Sequence, residues 1–245
     1  LGGFKDNQQL RENALGLPNP WNTENYTNTL ASGMFWQQAF NSALIALATT
    51  FLVVIAAAMV AFVFARYAFR GREVLFMLFA TGLMFPFAVA VLPLFIILRT
   101  MGLLDNPLGV ILPQAAFGLP LTIVILRSFF RAIPGEVEEA AIIDGASPWR
   151  FFLTILLPMA RPALATVSVL ALVGSWNNYL LPLVVLNDSS LWTLPLGVDQ
   201  FSGQYASDTA KVLAFVMMAM LPALLFYGFA ERHLINGLTA GSTKG

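Results

Sequence analysis

Five long apolar stretches alternate with shorter polar connections along the chain, and no charged residue or histidine lies inside any of the five. A helix rises about 1.5 Å per residue and the hydrocarbon core of a bilayer is about 30 Å thick, so each stretch is long enough to cross a membrane. The predicted spans are residues 43–65, 74–98, 108–126, 163–186 and 212–230. The pattern therefore predicts an all-α, polytopic membrane protein with a transmembrane domain over residues 43–230.

Lysine and arginine concentrate in alternate connections, which predicts an orientation because these residues stay on the cytoplasmic side. Nine of them fall in one set of connections: Arg66, Arg70, Arg72, Arg127, Arg131, Arg150, Arg161, Arg232 and Lys244. Four fall in the other set: Lys5, Arg11, Arg99 and Lys211. The larger set is predicted to be cytoplasmic, so residues 1–42 form an extracytoplasmic segment and residues 231–245 a cytoplasmic tail.

An external start is expected to follow an export signal or another span, and no signal peptide precedes residue 43. We therefore expect a transmembrane helix upstream of Leu1 and six spans in the intact chain.

The amino-acid composition excludes several classes of protein and of site. The chain is 58% hydrophobic and 11% charged, against roughly a quarter charged in soluble domains, which excludes a soluble globular protein. Lys plus Arg and Asp plus Glu each number 13, so no basic field predicts a nucleic-acid partner. With no cysteine and one histidine, His233, the sequence predicts no catalytic residue and no metal site.

Two features of the spans leave alternatives open. Six prolines lie within them: Pro86, Pro93, Pro113, Pro120, Pro182 and Pro222. They indicate bent helices around a pathway, or the ordinary enrichment of proline in membrane helices. The polar run Trp176, Asn177, Asn178 and Tyr179 is a candidate translocation path, because rings and amides suit a sugar. The alternative is interhelical hydrogen bonding by the asparagines, with the Trp or Tyr at the membrane interface.

The cytoplasmic connection, residues 132–160, predicts two short helices with a sharp turn. Pro134 suits a helix start and Gly145 its end, while Ser147 followed by Pro148 is a typical N-cap for the second helix. The small residues Ala140 and Ala141, expected to be exposed beside Gly145, favour a docking surface for a cytoplasmic partner. The alternative is an amphipathic element lying on the membrane.

The spacing in this connection resembles a known motif. Glu139-Ala140-Ala141, three residues ending in Asp144, Gly145, nine residues, Ile155, one residue and Leu157-Pro158 match the EAA loop of ABC-importer permeases. The whole chain resembles the maltose-type sugar permeases, also at Asn41-Ser42, Trp176-Asn177 and the run 193–197.

The resemblance implies a type I ABC importer fold and a plasma-membrane subunit, bacterial or archaeal, that works by alternating access. Two ATP-binding cassette subunits would hold ATP and Mg, this chain having no cofactor, and a sister permease and an extracytoplasmic sugar-binding protein would complete the system. Nine residues are implied to contact the ATPase subunit: Glu138, Glu139, Ala140, Ala141, Asp144, Gly145, Ala146, Leu157 and Pro158.

The resemblance also implies two further contact regions. The tail residues Gly237, Leu238, Thr239, Ala240 and Gly241 would reach the ATPase subunits. The external loop, residues 187–208, would meet the binding protein through Trp192, Gln204 and Tyr205. The alternative function is a stand-alone secondary transporter or channel, for which an internal repeat or ionisable groups inside the spans would be expected.

Overall fold

The computed structural model describes residues 1–201 and 208–239, with the side chains of the final helix described as far as Gly228. Within these residues the chain is helical and contains no strand, which confirms the all-α prediction. The helices are α1 (Asn7–Glu12), α2 (Glu24–Ala31), α3 (Gly33–Arg66), α4 (Arg72–Thr81), α5 (Phe87–Thr100), α6 (Pro107–Ala132), α7 (Gly135–Ile143), α8 (Pro148–Phe151), α9 (Leu157–Met159), α10 (Arg161–Trp176), α11 (Leu180–Val185), α12 (Leu194–Gly197) and α13 (Thr209–Thr239). A wider, π-helical stretch, Phe152–Leu156, joins α8 to α9.

Three helices of the described chain are each long and apolar enough to cross a membrane: Gly33–Arg66, Pro107–Ala132 and Thr209–Gly228. The number rises to five when each of two bent pairs counts as one span. These pairs are Arg72–Met84 with Phe87–Thr100, and Pro148–Met159 with Arg161–Trp176.

Two of the predicted spans are broken within their length. The stretch 74–98 bends by 98° between Met84 and Phe87. Pro86 explains the bend, because the residue before a proline avoids the helical region, and Phe85 is extended. The stretch 163–186 breaks after Trp176, and the side chain of Asn178 accepts a hydrogen bond from the N–H of Leu181 where α11 begins.

The first predicted span begins earlier than residue 43. α3 starts at Gly33, and its first turns carry the polar residues Gln37, Gln38 and Asn41. A search for apolar windows does not detect this part of the helix. Gln37 and Asn41 donate hydrogen bonds to carbonyls of the external loop, and Gln38 is buried.

Leu1–Ala46, Val91–Val110 and Trp176–Leu225 form one compact unit. Its N-terminal segment is built around Lys5, whose side chain is buried and donates hydrogen bonds to the carbonyls of Asn13 and Ala14, at 2.7 and 3.2 Å. The ring of Phe4 packs against Trp21 and Tyr26. The external segment therefore has a packed structure of its own.

Leu47–Ala90, Ile111–Ser175 and the described residues from Phe226 onward form the second unit. Its core is apolar and draws on α3, α6, α7, α8 and α10. On α3, the ring of Phe62 lies 4.9 Å from that of Phe152 and 6.3 Å from that of Phe151, between ring centroids. The predicted cytoplasmic connection therefore packs on the end of α3.

Candidate coupling site

The first helix of the candidate site, α7, starts where the sequence predicts. Pro134 directly precedes its first residue, and Glu136 and Glu138 lie in its first turn. Acidic side chains are stabilised there by the positive end of the helix dipole.

The end of α7 is closed by backbone hydrogen bonds around a left-handed glycine. Gly145 has a φ of +77° and donates to the carbonyl of Ile142, while Ala146 donates to that of Ala141, both at 2.9 Å. This is the Schellman closure, which favours glycine because a Cβ is strained at positive φ. A Cβ built on Gly145 meets no atom within 4 Å, so the space above it is open to a partner.

The second helix is capped at once. Ser147 accepts a hydrogen bond from the N–H of Arg150 at 3.2 Å, and Pro148 occupies the first helical position. Helical structure then continues from α8 through the π-helical stretch to α9. The predicted pair of helices with a sharp turn is confirmed.

Ala141 corrects one prediction about this surface. Ala140 is exposed, but Ala141 is buried and belongs to the core of the second unit. Its small side chain therefore lets α7 lie close to the bundle instead of offering a surface to a partner. Of the remaining predicted contact residues, Glu139, Asp144 and Gly145 are exposed, and the others are half-buried: Glu138, Ala146, Leu157 and Pro158.

Sequence reasoning missed three large apolar side chains on this surface. Ile142 is 61% exposed, Ile143 85% and Trp149 53%. Ile142 and Ile143 directly precede Asp144 and Gly145 in the chain, and Trp149 lies in α8. Once Ala141 and Val137 are known to lie on the buried side, the helical period places Ile143 away from the bundle, but the sequence alone does not reveal that burial.

Arg66, the last residue of α3, contacts this element at two points. Its Nη2 donates to the carbonyl of Ile133 at 3.0 Å, and its Nε lies 3.6 Å from a carboxylate oxygen of Glu138. The Arg66 side chain is 8% exposed and that of Glu138 25%. The ion pair is therefore largely removed from solvent.

Residues 57–233 match the protein family described as binding-protein-dependent transport system inner membrane component. The match contains all of α7, α8 and α9. The chain belongs to this family. It is therefore a multi-pass plasma-membrane permease of an ABC importer, and its family is one of transport proteins rather than enzymes.

Curated relatives cover the permease almost completely. It is 35% identical to the diacetylchitobiose uptake system permease protein NgcG of Streptomyces coelicolor, over 100% of this chain and 82% of the relative. It is also 35% identical to the trehalose transport system permease protein SugB of Mycobacterium tuberculosis, over 94% of this chain and 84% of the relative.

A solved bacterial ABC transporter involved in the import of the acidic polysaccharide alginate contains a chain of the same fold. The TM-score is 0.81 at 22% identity, with 94% of the permease and 86% of that chain covered. At this identity the likeness shows the fold alone.

The candidate translocation path divides into two kinds of residue. Trp176 is buried, and its indole N–H donates an interhelical hydrogen bond to the carbonyl of Ala219 in α13 at 3.1 Å. Asn178 caps α11, as described above. Asn177 and Tyr179 are exposed, and the Tyr179 hydroxyl donates to Asp199 at 2.8 Å. A path role stays a prediction for these residues.

The external loop is held by the outer end of α3. Asn41 donates to the carbonyls of Ser190 and Trp192, at 2.9 and 3.0 Å, and Ser42 accepts from the N–H of Leu194 at 2.8 Å. Gly197 faces the buried amide of Gln38 so closely that a methyl group there would overlap it. Asn41-Ser42 and the run 193–197 are two separate parts of the resemblance to the maltose-type permeases. The fold brings them into contact.

Asp105 anchors the start of the same loop. Its carboxylate accepts hydrogen bonds from the N–H groups of Asn187 and Asp188. The N–H groups of Asp188 and Asn187 hold the pKa of Asp105 below its ordinary value. Trp192, half-buried, donates its indole N–H to the carbonyl of Leu186. Gln204 and Tyr205, the other predicted contacts for a binding protein, lie outside the described residues.

The predicted tail begins within a helix. α13 continues to Thr239, so Gly237, Leu238 and Thr239 are its last residues. Ala240 and Gly241 lie outside the described residues. The contact of this segment with ATPase subunits stays a prediction.

Proposed function

We propose that this permease carries a saccharide across the plasma membrane by alternating access, driven by ATP hydrolysis on separate subunits. Two ATP-binding cassette subunits bind ATP and Mg, while this chain holds no cofactor. A sister permease completes the transmembrane pathway, and an extracytoplasmic binding protein delivers the sugar. Support for a saccharide comes from the names of the relatives, which transport diacetylchitobiose and trehalose.

One observation supports docking of an ATPase subunit more than any other: the rigid, self-capped turn between α7 and α8. It presents Ile142 and Ile143 beside an open glycine, with the acidic Glu139 and Asp144 next to them. Exposed carboxylates beside the aliphatic side chains disfavour the alternative of an element lying on the anionic inner leaflet. An apolar patch with a charged rim is typical of a protein interface.

Gly145 offers a matched test of this docking. Asparagine and aspartate have almost the same shape, and both tolerate positive φ better than other side chains. We expect Gly145→Asn to retain the ATPase subunit, whereas Gly145→Asp places another carboxylate in a surface that loses its water on docking. A charge that costs about 1.4 kcal/mol there weakens association about tenfold.

The measurement is co-purification of the ATPase subunit, followed by ATP hydrolysis of the assembly in proteoliposomes. We expect both readouts to fall at least about tenfold in Gly145→Asp relative to Gly145→Asn, with equal amounts of permease and equal thermal stability. A permease that is isolated without an ATPase subunit, or an Asp variant as active as the Asn variant, would contradict the proposal. The first result would favour a stand-alone transporter or channel.

A further inference from the structure

Arg66 joins α3 to a part of the chain that is not its neighbour in sequence. The helices α7 to α9 are continuous only with α6 on one side and α10 on the other. α3 ends at Arg66, nearly seventy residues before α7 begins. Any movement of α7 therefore reaches α3 through non-covalent contacts, among which the structure shows those of Phe62 and Arg66.

The contact of Phe62 and that of Arg66 differ in how strongly they depend on direction. Phe62 packs on Phe151 and Phe152 through ring faces and edges, and such apolar contact has little directional preference. Arg66 instead contacts two polar groups, one through a directional N–H hydrogen bond and the other through an ion pair at 3.6 Å that is not a hydrogen bond. One is the carbonyl of Ile133, among the orphan carbonyls at the end of α6, and the other is the carboxylate of Glu138.

Burial makes the polar contact costly to break. With 8% of its side chain exposed, Arg66 would keep a desolvated charge if α7 slid away from α3. A buried cation without its partner is strongly disfavoured, so α3 is held to follow α7. The sliding of the apolar rings meets no comparable penalty.

We propose that Arg66 is a positioning residue that makes α3 move as one body with the coupling helices when an ATPase subunit displaces them. The inference rests on the proposed function, because it needs a partner docked on α7. It adds a specific route, from Glu138 and Ile133 through Arg66 into a membrane-spanning helix.

The chain contains no cysteine, so engineered cysteines are the labelled sites within the permease itself. Phe51→Cys labels α3 at an exposed site about 22 Å along the helix from Arg66, and Glu136→Cys labels the exposed start of α7. The distance between the labels is measured in the complete assembly, first without nucleotide and then with ATP, Mg and vanadate. In the otherwise unchanged permease we expect the same distance in both states.

In Arg66→Met we expect the distance to shift or broaden when nucleotide binds, because α7 then moves without α3. Arg66→Lys keeps the charge but not the two-point contact, and should be intermediate. Arg70→Met is the matched control, since Arg70 is an exposed arginine four residues further on, and it should behave like the unchanged permease. A merely structural role would lower the unfolding temperature without making the distance depend on nucleotide.

The mobility of the label at Glu136 shows separately whether the coupling helices respond to nucleotide. If they respond but the distance in Arg66→Met stays constant, the inference is wrong. It is equally wrong if the distance already changes in the unchanged permease. Absence of the ATPase subunit from the purified assembly would instead overturn the proposed function, and the inference with it.

Discussion

Arg127 shows how single residues stabilise the ends of the spans that the loop charges predict to be cytoplasmic. Its Nη2 lies 2.6 and 2.7 Å from the two carboxylate oxygens of Glu73, and its Nε donates to the carbonyl of Phe64 at 3.3 Å. The guanidinium carbon also lies 3.7 Å from the ring centroid of Phe76. The side chain of Arg127 is 7% exposed and that of Glu73 is 51% exposed. Water can solvate the carboxylate but hardly reaches the guanidinium, so Arg127 needs its partner more than Glu73 does.

The unequal burial of the two side chains predicts which single variant unfolds at the lower temperature. Glu73→Leu leaves a buried cation with only a carbonyl and a ring, and should lower the thermal midpoint by several degrees. Arg127→Met removes the buried charge and leaves a carboxylate that water can solvate, so its effect should be smaller. Thermal unfolding followed by intrinsic fluorescence in detergent gives the comparison, with Glu136→Leu as the control for an exposed glutamate. A larger loss in Arg127→Met than in Glu73→Leu would contradict this reading of the pair.

At the scale of an element, the ionised carboxylate of Asp105 anchors the start of the external loop. Because hydrogen bonds from Asp188 and Asn187 lower the pKa of Asp105, its folded pKa lies below the unfolded value. The anchor therefore adds stability above the unfolded pKa, about 3.9, and loses it as pH falls through the lowered folded pKa. Neutral pH leaves the anchor fully formed.

We expect hydrogen-exchange protection of the amides of Asn187 and Asp188, corrected for the intrinsic effect of pH, to fall below about pH 4. In Asp105→Asn, protection should be lower at neutral pH and lack the acid step. The carboxylate of Asp188 separately accepts a hydrogen bond from the N–H of Ser190. An acid step that persists unchanged in Asp105→Asn would show that another group holds the loop.

For single elements, the sequence predicts those features that depend on residues close together in the chain. Gly145, Ser147 and Pro148 determine the ends of α7 and α8 through their own backbone preferences, so those ends are predicted correctly. The burial of Ala141 is decided by a core to which α3, α6 and α10 contribute, and no local pattern contains that contact. The break at Pro86 was visible as a proline, but an apolar window does not record the direction of a chain.

For the whole molecule, family membership and the packed coupling helices support one account. In this account the membrane helices provide a pathway, and we propose that α7 and α8 present a surface to an ATPase subunit outside this chain. Arg66 and Phe62 connect that surface to α3, and the links through residues 133–134 and Ala160 connect it to α6 and α10. The pairing of Arg66 with Glu138 could not be predicted, because they are 72 positions apart and many arginines share the side predicted to be cytoplasmic.

Cross-linking from the coupling surface tests this account most directly. A single cysteine at Ile143, reacted with a short bifunctional reagent in the intact membrane, should give one product that contains the permease and an ATPase subunit. A single cysteine at Leu170, 42% exposed on α10, is the matched control and should give none. If Ile143→Cys forms no such product, and reacts with lipid-soluble reagents as readily as Leu170→Cys does, the surface does not receive an ATPase and the account is wrong.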